Sequence, residues 1–302
     1  MIDNKAIVTG AAGFLGTALV EELLTAGYHV YAVVKPGSIH NERLRDFSGV
    51  DMIELDIADI DVLPQRINTE IYGATFFHIA WGYGGRYDYV AQTKNIDYTI
   101  NAVKAAGMLK CTRFIATGSQ AEYGATVAVQ KESMMPNPFC DYGAAKVAAC
   151  ILSKRVAEEV GLEWLWGRVF SLYGKHESSD RMIRAVSEKL QNNEKVELSS
   201  CRQNWDYLNV YDGAKALIAL AERGHNGEIY NIANGKYKPL KQYIEAVRNY
   251  YRSSSKITYG KDPDPFVSLQ PDVSRIKEHT GWEPGVSFED GLAEYGDLKK
   301  KN

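Results

Sequence analysis

One short stretch constrains this chain more than any other. Thr9-Gly10-Ala11-Ala12-Gly13-Phe14-Leu15-Gly16 follows a β-rich run, Lys5–Thr9, and opens a segment with Phe14, Leu15, Ala18, Leu19, Leu23 and Leu24 at helical spacing, stopped by Gly27. In a strand–turn–helix unit each glycine has a job. Gly10 permits the tight turn, Gly13 lets the backbone approach a phosphate, and Gly16 lets helix and strand pack closely. The helix start adds unpaired N–H groups and a partial positive charge. The context predicts a turn that holds the pyrophosphate of a dinucleotide; a glycine-rich packing turn is the plainer alternative.

The same alternation continues. Strands are predicted at His29–Val34, Asp51–Leu55, Ala74–Ile79, Arg113–Thr117 and Leu162–Phe170, and helices at Tyr89–Ala106 and Tyr142–Glu159. Strands alternating with helices imply an α/β fold with a parallel sheet covered on both faces. Beyond Leu172 the rhythm loosens. Helices are expected at Arg181–Leu190, Val210–Arg223 (with Asp212 near its start) and Leu240–Tyr251, loops at Ser253–Ser255 and Asp262–Pro265, and a frayed tail at Lys299–Asn302. The expected division is 1–171 for the dinucleotide-binding domain and 172–302 mainly for a smaller substrate-binding region, with some segments returning to the sheet.

Composition narrows the function. Of 302 residues, 35 are Lys or Arg and 38 Asp or Glu, a net charge of −3, and 45% are hydrophobic, so the chain has the material for a packed core. No long basic run is present, which argues against a dedicated nucleic-acid binder. No apolar run approaches the roughly 18 residues of a membrane span. Ala6 to Leu24, preceded by Asp3 and containing Glu21-Glu22, reads as strand, turn and helix rather than an export signal. Cys111, Cys140, Cys150 and Cys201 lack metal-site spacing and are expected as packed thiols in a reducing, cytoplasmic setting; no metal is expected.

An acid that binds the adenosine ribose is expected about 20 residues past the glycines. The chain there reads Val33-Val34-Lys35-Pro36-Gly37-Ser38. A carboxylate would repel a 2′-phosphate and a cation attracts it, so Lys35 favours NADP over NAD, unless it is an ordinary exposed lysine. Tyr142 and Lys146 stand i, i+4 on one helix face, and an ammonium beside a phenol is expected to depress the phenol's pKa and let it exchange a proton near neutrality. Such a pair is common by chance. Ser119, just past the fifth strand, adds weight, because strand ends carry ligands in open α/β sheets.

Together, Thr9-Gly10-x-x-Gly13-x-x-Gly16, Ser119 and Tyr142-x-x-x-Lys146 resemble the extended short-chain dehydrogenase/reductases, and in particular the nucleotide-sugar epimerase/dehydratase branch. Leu55-Asp56, His78-Ile79-Ala80, Asn95, Arg168 to Tyr173-Gly174, Gln203 with Asp206-Tyr207, Val210 with Asp212, and Gly281-Trp282-x-Pro284 extend the likeness over nearly the whole chain. The resemblance implies a Rossmann-type doubly wound sheet with a smaller C-terminal α/β cap, and a homodimer formed through Tyr89–Ala106 and Tyr142–Glu159. It implies Gly10, Gly13, Phe14 and Leu15 at the pyrophosphate, Asp56 and Ile57 at the adenine, and Ala80 and Phe170 along the cofactor. It makes Tyr142 the acid/base, with Lys146 holding the nicotinamide ribose and Ser119 bonded to the reacting oxygen. His78 is expected to be structural.

Three departures bear on the reaction. The Asp-Glu pair typical of the branch's dehydratases is replaced by Gln120 and Ala121, and Glu122, one place off, reads as a loop surface residue. Ser171 stands where many epimerases carry Asn. Trp205 stands where an Arg commonly grips the diphosphate, so either Arg202, Arg181, Arg184 or Arg275 replaces it or the substrate differs. Trp205 itself reads as core, with a stacking wall as the alternative. Trp81-Gly82-Tyr83-Gly84-Gly85-Arg86 follows the fourth strand and could wall a sugar pocket; a surface loop is the alternative. The expected substrate set is Trp81, Arg86, Ser119, Gln120, Ser171, Gln203 and Arg275.

These features point to NADPH-dependent reduction of a 4-keto-6-deoxyhexose nucleotide. The runner-up is a 4-epimerase with retained NAD. A reductase of another ketone and a non-enzymatic dinucleotide sensor are the remaining alternatives.

Overall fold

The computed structural model describes residues 4–67, 71–82, 84–261 and 267–298. Asp3, Tyr83, the Asp262–Pro265 loop and the Lys299–Asn302 tail lie outside the described residues.

Strands β1 (Lys5–Thr9), β2 (His29–Val34), β3 (Val50–Glu54), β4 (Thr75–His78), β5 (Arg113–Ser119) and β6 (Glu163–Val169) match the predicted strands to within a residue or two. The cap adds short strands: β7 (Ser171–Tyr173), β8 (Val196–Leu198), β9 (Asn204–Trp205) and β10 (Tyr207–Asn209). β11 (Ile229–Ile232) follows. The main sheet runs β11-β6-β5-β4-β1-β2-β3, with every neighbouring pair parallel. The order reverses between β1 and β4, the switch point at which open α/β sheets bind ligands. β11 is a segment of the second half that returns to the sheet edge.

Helices α1 (Phe14–Thr25), α2 (Leu63–Arg66), α3 (Tyr89–Met108), α4 (Asp141–Val160), α5 (Met182–Gln191), α6 (Val210–Arg223), α7 (Leu240–Tyr250) and α8 (Ser274–Thr280) surround the strands. α1 and α6 cover one face, where Ala18, Leu19 and Leu23 meet Leu217 and Leu220. α3 and α4 cover the other, through Ala102, Val103, Ala106, Ala149 and Ala157. Burial on both faces explains the uninterrupted apolar runs Ala6-Ile7-Val8 and Phe76-Phe77, all fully buried. Gly161 ends α4 in the left-handed conformation at φ 71°, which a side chain would strain. A separate core under α5 and α7 joins Ile183, Val186, Ile244 and Val247 to Tyr173 and Tyr207. α6 starts one residue after Asn209, whose side chain accepts from Tyr211 N; Asp212 instead accepts from Gly285 and Val286 N.

Candidate active site

The C-terminal ends of β1, β4, β5 and β6 open into a cleft of about 670 Å³. Gly10, at φ +70°, would bring a Cβ within 2.9 Å of the Ala80 backbone, and a Cβ on Gly16 would lie 2.0 Å from Gly10 O. Only glycine lets β1, β4 and α1 close up here. Gly13 caps α1 with no side-chain acceptor, so the first helical amides remain for an anion. The shape, the free amides and the β4 backbone fit a dinucleotide. Lys35, Asp56, Ile57, Ala80, Tyr142 and Lys146 line the cleft along with Gly10, Gly13, Phe14 and Leu15. Phe170 does not; it lines a second chamber of about 590 Å³ and packs on Tyr123.

The end of the cleft beyond β2 is polar. Lys35, Ser38, His40 and Asn41 line it. Ser38 caps the 3-10 turn Ile39–Leu44, accepting from His40 N, and Arg43 donates to Ala12 O at 3.0 Å.

Ser119, Tyr142 and Lys146 meet where the two chambers join. Ser119 ends β5. Tyr142 and Lys146 lie on the first turns of α4, and Tyr142 N donates to Arg86 O. Burial holds the Tyr142 phenol above its ordinary value, outweighing the neighbouring Ser119 hydroxyl, which favours the phenolate. The expected depression by Lys146 is therefore not what the structure shows. The Lys146 ammonium donates to Thr117 O at 2.6 Å and sits over the Trp81 ring, 5.9 Å from the Tyr142 ring centre. Burial pushes Lys146 down to about 7, against the opposing pull of Glu122. His78 is buried between Thr9 and Thr99 and held neutral, a packing role.

A family model for the NAD dependent epimerase/dehydratase family matches residues 6–233. The chain belongs to that family. It is 27% identical to the CDP-abequose synthase of Salmonella muenchen over 99% of each chain. It is also 27% identical to a UDP-N-acetyl-alpha-D-glucosaminuronate decarboxylase of Bacillus cytotoxicus over 96% of each. The fold is shared with the UDP-glucuronic acid 4-epimerase of Bacillus cereus, solved with UDP-glucuronic acid and NAD. The TM-score is 0.83 at 24% identity, over 97% of this chain and 98% of that one. The molecule is thus an NAD(P)-dependent enzyme of the extended short-chain dehydrogenase/reductase type.

In this family member the second chamber adjoins Ser119 and Tyr142. Trp81, Arg86, Ser119, Gln120 and Ser171 line it. Trp205, read as core, is half-buried on its wall, donating from Nε1 to Ser171 Oγ at 3.0 Å. Two expected residues are elsewhere. Arg275, on α8, is taken up by Glu228 and the Ile229 carbonyl. Gln203 precedes β9 outside the lining; its carbonyl accepts from Leu240 N. Glu122 is corrected too. It is fully buried, because its carboxylate accepts from Ser119 N, Trp166 Nε1 and Arg168 Nε. The Ser119-x-x-Glu122 spacing of a capping box signalled the bond from Ser119 N, though not the burial.

Sequence reasoning missed Glu177, a buried carboxyl on the chamber wall that accepts from the Tyr295 hydroxyl. Of the four arginines proposed to replace the diphosphate grip, Arg181 alone lines the chambers, and it lines both.

Proposed function

We propose that this chain reduces the C4 ketone of a nucleotide-activated sugar, a 4-keto-6-deoxyhexose, with NADPH as preferred cofactor. The observation that carries the reading is the end of the cleft beyond β2, where Lys35 and Ser38 stand in place of a carboxylate and Arg43 reaches across to the glycine turn. A cationic end suits a 2′-phosphate. A reductase consumes NADPH at each turnover, whereas an epimerase works with a retained NAD. Gln120 and Ala121 in place of an Asp-Glu pair leave no acid/base pair for eliminating water. The full-length likeness to a CDP-abequose synthase supports a step on a nucleotide-linked sugar.

The bound cofactor would supply the hydride for C4. Tyr142 then delivers its proton to the carbonyl oxygen, Ser119 polarises that oxygen, and Lys146 holds the nicotinamide ribose. A phenol whose pKa burial raises is a proton donor at neutral pH, as a reduction requires. The four buried free thiols fit a reducing compartment. Among the described residues no helix is long and apolar enough to cross a membrane. We also assign a homodimer to the exposed side of α3 and α4, where Ile151 and Leu152 are 56% and 44% exposed.

The test is fluorescence titration with NADPH and NADH, after checking for co-purified NAD. NADPH oxidation is then followed with CDP- and dTDP-4-keto-6-deoxyglucose. Reversible, preferential NADPH binding with turnover is the expected result. Tightly retained NAD with little NADPH affinity would overturn it in favour of a 4-epimerase, a reading supported by the 24% full-length likeness to a UDP-glucuronate 4-epimerase of Thermodesulfobacterium geofontis.

A further inference from the structure

Glu122 touches no chamber, yet its carboxylate is tied to Ser119, which does, and to two residues of β6 behind it. One oxygen accepts from Ser119 N at 2.8 Å and Trp166 Nε1 at 2.9 Å; the other accepts from Arg168 Nε at 2.7 Å. Room for it is made by Gly118, where a Cβ would stand 2.3 Å from the carboxylate and 2.0 Å from the Trp166 nitrogen. A fully buried carboxylate with three donors is costly to keep unless all three stay in place. So the backbone at Ser119, which carries the hydroxyl to Tyr142, has one arrangement.

The same charge acts on Lys146. That ammonium is buried, and its surroundings are the Thr117 carbonyl on β5, the Trp81 ring 3.6 Å away, the Trp166 ring at 6.0 Å and Tyr142 one turn back on α4. The titratable and charged groups facing it are His78 from β4, neutral by burial, Glu122 from the turn after β5, and Tyr142. Arg168 on β6 is paired to Glu122. Glu122 is the anion of this set, and it favours the ammonium over the amine.

We propose that Glu122 is a positioning residue for Ser119, Tyr142 and Lys146: it pins the backbone that carries Ser119 and supplies the negative charge that holds the Lys146 ammonium in its buried cage. The proposal rests on the reading of those three residues as the reacting set, not on the identity of the sugar.

The test uses the full chain with [13Cε]lysine, the Lys146 resonance being assigned with a Lys146→Met variant and followed from pH 5 to 10. Glu122→Gln keeps the shape and removes the charge. The Lys146 midpoint is expected to fall by on the order of one pH unit. The alkaline limb of kcat should move down in parallel, since both Lys146 and Tyr142 lose protons earlier, while NADPH affinity stays the same. A role in folding alone would lower the melting temperature and leave the midpoint in place. Should Glu122→Gln leave Arg168 too unbalanced to fold, Glu122→Gln/Arg168→Met removes both charges, and because the lost cation offsets part of the effect the midpoint is expected to fall by less than in the single variant. A Lys146 midpoint unchanged in the folded variants overturns the proposal. The resonance needs no sugar nucleotide, so a shifted midpoint in a chain that reduces no 4-keto sugar refutes the reductase reading alone.

Discussion

The Lys146 ammonium lies 3.6 Å from the centre of the Trp81 ring, and the same ring stands edge-on to Tyr142 at 86°. Trp81 is itself fixed by Gln92, which accepts from its Nε1 at 2.8 Å and donates to the carbonyls of Gly84 and Gly85. A desolvated cation over tryptophan is worth about 2 kcal/mol. Trp81→Leu keeps apolar bulk and loses the π face. It is expected to lower kcat by roughly 10- to 30-fold, the rate equivalent of that energy, with the fold intact by circular dichroism.

Tyr142→Phe removes the proton and leaves the ring. Turnover is expected to fall by a factor on the order of 10² to 10⁴, the usual worth of a positioned acid. NADPH affinity should hold, because the glycine turn and Lys146 are untouched. A chain that kept full activity as Tyr142→Phe would be working by some other acid, or as a sensor.

These two residues were legible from sequence because their relationship is local: one helical turn joins Tyr142 to Lys146. The sheet was legible for a related reason, since strands covered on both faces carry unbroken apolar runs such as Phe76-Phe77. The cap strands were not. β9 has two residues and β7, β8 and β10 have three, too short for any period to register. Glu122 carried a readable capping-box spacing, but its burial comes from Trp166 and Arg168, 44 and 46 residues away, on β6. Glu177 and Arg181 reach the chamber through the path of the chain between β7 and α5, which no spacing rule encodes.

Lys35 tests cofactor choice. Lys35→Glu places a carboxylate at the end of β2, where it would repel a 2′-phosphate and accept from a ribose hydroxyl. NADPH affinity should fall about tenfold, a surface-scale electrostatic change, while NADH binding holds or improves. Parallel titrations at fixed ionic strength measure this, since the effect is screened by salt.

The proposed homodimer would rest on the outer faces of α3 and α4. Ile151→Lys combined with Leu152→Glu places charges on that face without touching the core that Ala149 and Ala157 make with the sheet. Size-exclusion chromatography with light scattering should show the wild type as a dimer and the variant as a monomer. A dimeric variant would move the interface elsewhere.

Glu177 ties chamber chemistry to stability. Burial on the chamber wall pushes its carboxyl up to about 7, although the hydrogen bond from Tyr295 and the nearby Arg181 pull the other way. In the unfolded chain the group titrates near 4.3 or so. The folded state therefore binds the proton more tightly. Between those two pH values the folded chain holds more protons than the unfolded one, so stability falls as pH rises and the loss is complete above about pH 7. Glu177→Gln is neutral throughout and still accepts from Tyr295. It should be the more stable chain at pH 8, by on the order of 3–4 kcal/mol, with the advantage gone by about pH 4. Thermal melts of both proteins at pH 4, 6 and 8 measure the gap. A gap that stays constant across that range would mean Glu177 is already ionised and solvated in the folded chain, and its place on the chamber wall would then be that of an ordinary anion.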